Sequence, residues 1–123
     1  QSASVASADE ALEFAARVGY PLILKPRSGA GAAGTRRVDD DTALRAALPA
    51  YGLGAARDES RSIAIEEFIE GHEGFLDTLS VDGEVRHEFI SHYYPNVLEA
   101  MRERWISPQI VATNRIDAAG YAE

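Results

Sequence analysis

Lys25 and the glycine-rich run behind it are the residues of this sequence best suited to chemistry. In YPLILKPRSGAGAAGTRRV, from Tyr20 to Val38, the lysine is followed by Pro26 and Arg27, and then by Ser28 and a run of glycine and alanine up to Thr35. Gly29, Ala30, Gly31 and Gly34 leave almost no side chain between the backbone N–H groups and an approaching ligand. Successive free amides of this kind can surround phosphate oxygens while a nearby ammonium supplies counter-charge. A fixed lysine beside an amide-rich loop therefore points to a phosphorylated ligand.

The elements that position these residues can be read outward from them. Leu22, Ile23 and Leu24 form a short apolar run bounded by prolines, which predicts a buried strand with Lys25 at its end. Thr35 to Val38 is strand-compatible again, so the glycines are predicted to join two strands. A second informative stretch is IAIEEFI, Ile63 to Ile69, read as a strand through Phe68 and Ile69 that carries Glu66 and Glu67 and is broken by Gly71.

Several familiar glycine motifs do not fit. Gly29, Gly31 and Gly34 satisfy G-x-G-x-x-G, but that dinucleotide fingerprint opens directly into a helix, whereas Thr35, Arg36, Arg37 and Val38 follow here. The P-loop needs lysine and then Ser or Thr after its second glycine, and Thr35 is followed by Arg36. The protein-kinase loop has its lysine downstream of the glycines, not upstream as Lys25 is.

Strand, lysine, glycine flap, strand resembles the nucleotide-clamping lobe of the ATP-grasp family, and Glu66 to Glu73, EEFIEGHE, resembles that family's E-x-F-I-x-G-x-E segment. The resemblance implies that Lys25 bridges the α- and β-phosphates of ATP and that Ser28 to Thr35 covers the β- and γ-phosphates. It implies that Glu66 faces the exocyclic amine of adenine, that the backbone of Glu67, Phe68 and Ile69 pairs with the base edge, and that Glu73 accepts from the ribose hydroxyls. Arg27, Arg36 and Arg37 are either further positive charge near an acyl phosphate or exposed strand-edge arginines.

The family, as a class, phosphorylates a carboxylate with ATP and passes the acyl phosphate to an amine or a similar nucleophile. It uses Mg²⁺ held by acidic residues on a later strand, typically as E-x-N. Asn114 has Ala112 at that offset, so the metal ligands are expected outside this chain. No catalytic residue and no metal ligand is assigned here, and the chain alone is expected to bind nucleotide without turnover. The carboxylate and its nucleophile are left open. Two other readings remain: a noncatalytic nucleotide-binding or regulatory module, and a small α+β interaction domain.

Composition sets the outer bounds. The chain has 123 residues, 46% of them apolar, which predicts one globular domain. Its net charge of −8 disfavours nucleic acid and anionic membrane as partners. It has no cysteine, excluding disulfides and thiolate metal sites, and no apolar run near the roughly 18 residues of a membrane span. A cytoplasmic setting is the expectation.

The rest of the chain predicts scaffold. Gln1 to Ala6 reads as a ragged end. Ser7 and Glu10 form a capping box opening a helix with Leu12, Ala15, Ala16 and Val18 on one stripe and Gly19 at its close. Asp39, Asp40 and Asp41 are read as caps, rather than metal ligands, for a helix over Thr42 to Leu48. Tyr51 to Ser62 reads as a surface loop without function. Asp82-Gly83 predicts a hairpin that extends the same sheet. His72, His87 and His92 are read as exposed or structural, and Asp77 as a solvent-facing strand residue. Val97, Met101 and Trp105 mark a short helix, Ser107 to Asn114 a strand or extended passage, and Asp117 to Glu123 the start of a helix.

The predicted fold is thus α+β, an antiparallel sheet of four to five strands with two or three helices on one face, as in a truncated ATP-grasp lobe. Residues 1–123 are taken as one such domain fragment. Residues 8–92 carry the resemblance well, and residues 93–123 form a looser passage toward absent parts of the parent chain.

Overall fold

The structure is a computed structural model that describes residues 1–28, 32–103 and 106–121. The chain divides into two compact units, Gln1–Glu70 and Gly71–Glu123.

In the first unit, β1 (Ser2–Val5), β2 (Leu22–Pro26), β3 (Arg36–Val38) and β4 (Ile63–Glu67) form an antiparallel sheet in the order β1-β4-β2-β3. Helix α1 (Ala8–Val18) joins β1 to β2, and α2 (Asp41–Ala47) leads from β3 toward β4. Each connection links two parallel strands that have one antiparallel strand between them. The two crossovers run in opposite directions along the sheet between oppositely directed strands, so the right-handed preference places both helices on one face. The core confirms that placement: Ala11, Phe14 and Ala15 of α1 and Leu44 and Ala47 of α2 cluster with Val5, Leu22, Leu24, Val38, Ile63 and Ile65.

Alternation decides which strand residues take part. Leu22 lies opposite Val38 and Leu24 opposite Ile65, so these side chains share the helix-covered face. Leu22, Leu24 and Ile65 are fully buried, each contributing on the order of 1.5–3 kcal/mol. The capping box forms with one change of partner. Ser7 Oγ accepts from Glu10 N, while the Glu10 carboxylate accepts from Ala6 N rather than from the cap residue itself. The helix stripe is corrected too, since Ala11 and Phe14 are buried and Ala16 is exposed. Gly19 closes α1 with φ +89, and Asp40 Oδ1 caps α2 by accepting from Ala43 N.

Gln1 to Ala6 is not a ragged end. Residues 2–5 pair with β4, Val5 against Ile63 and Ser2 against Glu66, and Val5 is buried. Strand β4 is also shorter than expected: it ends at Glu67, and Phe68 and Ile69 lie beyond it.

The second unit contains β5 (Gly74–Val81), β6 (Glu84–Tyr94), α3 (Val97–Glu103) and β7 (Gln109–Thr113). Asp82 and Gly83 both have positive φ, +53 and +81, and close the predicted hairpin. That hairpin does not extend the first sheet; with β7 it forms a separate three-stranded sheet, β5-β6-β7. Ala100, not the expected Val97 and Met101 stripe, is the buried residue of α3, and Trp105 lies outside the described residues. Asp117 onward is not helical where described. Two turns stand there, Ala118 N to Arg115 O and Tyr121 N to Ala118 O, with Gly120 at φ +99.

Candidate functional site: a lysine–glutamate pair on the open face of the sheet

Alternation sends Leu22 and Leu24 into the core and turns Ile23 and Lys25 to the opposite face. Ile23 lies opposite Glu66 and Lys25 opposite Ala64, which makes Lys25 and Glu66 diagonal neighbours on that face, within reach of long side chains. Their side chains meet, Lys25 Nζ donating to Glu66 Oε2 at 2.6 Å. Both remain partly open to solvent, at 44% and 32% exposure, so the pair contributes on the order of 0–1 kcal/mol. An ammonium held this weakly is directed by its partner yet can move to a stronger anion.

The end of β4 continues the same face. Phe68 N donates to Pro21 O, carrying strand-like pairing one residue past Glu67. The Phe68 ring lies beneath the Arg37 guanidinium, 4.2 Å from Cζ to the ring centroid, and Arg37 Nε also donates to Asp39 Oδ1 at 2.7 Å. The Glu67 carboxylate accepts from the terminal ammonium of Gln1 at 2.8 Å, and Glu67 N donates to Gln1 O. Ile69 is 74% exposed, and among the described residues its N–H donates to no backbone carbonyl.

Of the glycine stretch, Gly29, Ala30 and Gly31 lie outside the described residues. Ser28 is exposed after β2, and the outgoing end is well defined. Thr35 N donates to Ala32 O, closing a turn in which Ala32 has φ +58 and Gly34 φ +74. A Cβ on Gly34 would stand 2.9 Å from Pro26 Cγ, so only glycine fits without a shift. On its other side, the Tyr51 hydroxyl donates to Gly34 O at 2.6 Å. Burial pushes the Tyr51 phenol above its ordinary pKa, with Arg36 opposing the shift. At the incoming end, Arg27 Nη1 donates to Ser62 Oγ at 3.1 Å, and Ser62 is buried.

Tyr51 and Ser62 lie in the segment read from sequence as a loop without function. The signal available was an aromatic residue amid small and polar ones, in YGLGAARDESRS. Gly34, Thr35, Arg36, Ala50 and Tyr51 line an open depression of about 220 Å³.

Glu73 belongs to the second unit, and its carboxylate already has work there. Glu73 Oε2 accepts from Val97 N at 2.7 Å at the start of α3, while Glu73 N donates to Asn96 Oδ1. Asn96 Nδ2 in turn donates to Gly71 O, and Tyr93 N donates to Glu73 O. One carboxylate oxygen thus serves the fold. His72 packs against His92 with ring centroids 5.0 Å apart, and His92 Nε2 is hydrogen-bonded to the Tyr121 hydroxyl at 2.8 Å. His87 packs beside Phe89. Among the described residues no three His, Cys, Asp or Glu side chains gather as a metal site would need, and no helix is long and apolar enough to cross a membrane.

Comparison with known proteins bears on this geometry. A family profile described as "Carbamoyl-phosphate synthase L chain, ATP binding domain" matches residues 1–75. Pyruvate carboxylase 1 of Caenorhabditis elegans is 39% identical over 67 residues, which is 54% of this chain and 6% of the carboxylase. The fold is similar to the crystal structure of D-alanine-D-alanine ligase from Helicobacter pylori, with a TM-score of 0.55 at 20% identity over 73% of this chain and 26% of the ligase. The chain therefore spans a small part of the length of either relative. With a profile covering more than half of its residues and a fold of the same type, the chain belongs to the carbamoyl-phosphate synthase L chain ATP-binding domain family and is of ATP-grasp type.

Proposed function

We propose that this chain is the ATP-binding part of an ATP-dependent ligase that activates a carboxylate as an acyl phosphate for attack by an amine or similar nucleophile. The observation that carries the reading is the contact between Lys25 and Glu66, which joins the lysine beside the glycine stretch to the EEFI segment on one sheet face. Membership in an ATP-binding-domain family supports the nucleotide.

In this reading the Lys25 ammonium leaves Glu66 for the α- and β-phosphates, exchanging a half-exposed carboxylate for a more highly charged partner. The stretch from Ser28 through Gly29, Ala30, Gly31 and Gly34 to Thr35 covers the β- and γ-phosphates with its N–H groups, except that of Thr35, which closes the turn onto Ala32 O. Glu66, once released, accepts from the exocyclic amine of adenine, and the backbone of Glu67, Phe68 and Ile69 pairs with the base edge. The Ile69 N–H, which donates to no backbone carbonyl among the described residues, suits the acceptor nitrogen of the base. The resemblance assigns a ribose hydroxyl to Glu73 of the second unit, where one of its carboxylate oxygens already accepts from Val97 N. Phosphoryl transfer asks the protein mainly for position and charge, which is what these groups supply.

In the parent ligase, a carboxylate oxygen attacks the γ-phosphorus, ADP leaves, and the nucleophile then displaces phosphate from the acyl carbon. Mg²⁺ belongs to this chemistry, but the described residues present no cluster that fits it, and no step is assigned to it. The chain alone binds without turnover, in a cytoplasmic setting consistent with its lack of cysteine. Calorimetry of ATP binding to the parent protein tests the proposal. Lys25→Ala should weaken ATP by more than about tenfold, or ~1.4 kcal/mol, and GTP should bind more weakly than ATP. Equal ATP affinity in a folded Lys25→Ala protein would overturn it.

A further inference from the structure

We infer that the segment between α2 and β4 anchors the described flanks of the glycine stretch, Arg27 before it and the Ala32 to Thr35 turn at its close, with Tyr51 the positioning residue that sets the grip of that turn on the terminal phosphates of the nucleotide. The inference rests on the nucleotide reading above and extends it to residues with no proposed ligand contact.

Both ends of the stretch are tied to this one segment. The incoming end is held through Arg27 Nη1 on Ser62 Oγ at 3.1 Å, and the outgoing end through the Tyr51 hydroxyl on Gly34 O at 2.6 Å. The two anchors are themselves fixed. Ser62 is buried and immediately precedes β4, and Tyr51 packs partly against the helix-side core. A short 3₁₀ turn over Leu48–Tyr51, following α2 and closed by Gly52 at φ +74, sets the direction in which the phenol points.

The stretch needs such outside support. Gly34 has no side chain with which to pack, and glycine loses more conformational freedom on folding than any other residue. The turn at Ala32 to Thr35 also holds a non-glycine residue at φ +58, a conformation that persists only when its surroundings impose it. Pro26 leaves no room for a side chain at position 34, and the phenol bond holds the Gly34 carbonyl. A footing fixed before the ligand arrives reduces the ordering that binding must impose.

The consequence is selective. Loss of the Tyr51 hydroxyl should weaken ligands that use the β- and γ-phosphates and spare those that do not. The test is calorimetry of the parent protein with ATP and with AMP, for wild type, Tyr51→Phe and Ser62→Ala, beside thermal melts. Tyr51→Phe, which keeps the ring, should raise the Kd for ATP by about three- to tenfold and leave the Kd for AMP and the melting temperature close to wild type. Ser62→Ala should act in the same direction and more weakly, because the Arg27 side chain is exposed and has other acceptors, including water. Wild-type ATP affinity in Tyr51→Phe, or an equal loss of ATP and AMP, would overturn the positioning role while leaving the nucleotide reading standing. A wild-type protein that binds neither nucleotide would overturn both.

Discussion

Strands β2 and β5 make opposite use of their apolar residues. In β2, Leu22 and Leu24 are fully buried, whereas in β5 Leu76 and Leu79 are 57% and 61% exposed. Both strands are hydrogen-bonded in antiparallel sheets, so pairing does not separate them. Cover does. The first sheet has two helices over one face, and every buried hydrophobic residue among those described, apart from Ala100, belongs to that unit. The second sheet also leaves Val81, Val85, Ile110 and Val111 exposed. Backbone pairing shapes a sheet, but burying one face supplies most of its stability. The Lys25–Glu66 pair belongs to the unit with the core, where packing of the inner face holds the outer face in register.

That contrast can be broken or sharpened by substitution. The largest expected effect is in the core: Leu24→Ala or Phe14→Ala should destabilise the first unit by about 2–5 kcal/mol in denaturant unfolding. Ser7→Ala, which removes the acceptor at the start of α1, should cost about 1 kcal/mol by the same assay. Alkali should act on the same unit. Tyr51 is raised by burial, and Tyr20 by burial and then by Asp41. A phenol whose folded pKa lies above its unfolded value stabilises fully below about pH 10 and loses that contribution as pH rises through the folded value. Melts at pH 8 and pH 10.5 should show the first unit weakening, and Tyr51→Phe should lessen the loss. The smallest effect is expected in the second unit, where Leu79→Ala should stay within about 0.5 kcal/mol.

What could be read from the sequence was local. The Ser7 and Glu10 box, the apolar run ending at Lys25, the Asp82-Gly83 turn and the strand near Gln109 each rest on neighbours in the chain. The family segment EEFIEGHE also led to Glu66, which the fold brings to Lys25. The misses share a cause: they depend on distant partners. Ser2 to Val5 carries no strong strand signal and becomes a strand because β4 has a free edge. The separate second sheet reflects strand β7 pairing with β6, a contact that no short stretch announces. Tyr51 gains its role only through a carbonyl 17 residues earlier, and Glu73 through an amide 24 residues later.

The central claim is that the face carrying Lys25, the glycine stretch and the EEFI segment receives ATP. Hydrogen–deuterium exchange of the parent protein with and without ATP, read peptide by peptide, tests it most directly. Slower exchange on adding ATP is expected in peptides spanning residues 25–36 and 66–70, with residues 76–90 unchanged. Protection that leaves both of those stretches untouched, or that falls only within residues 76–90, would contradict it.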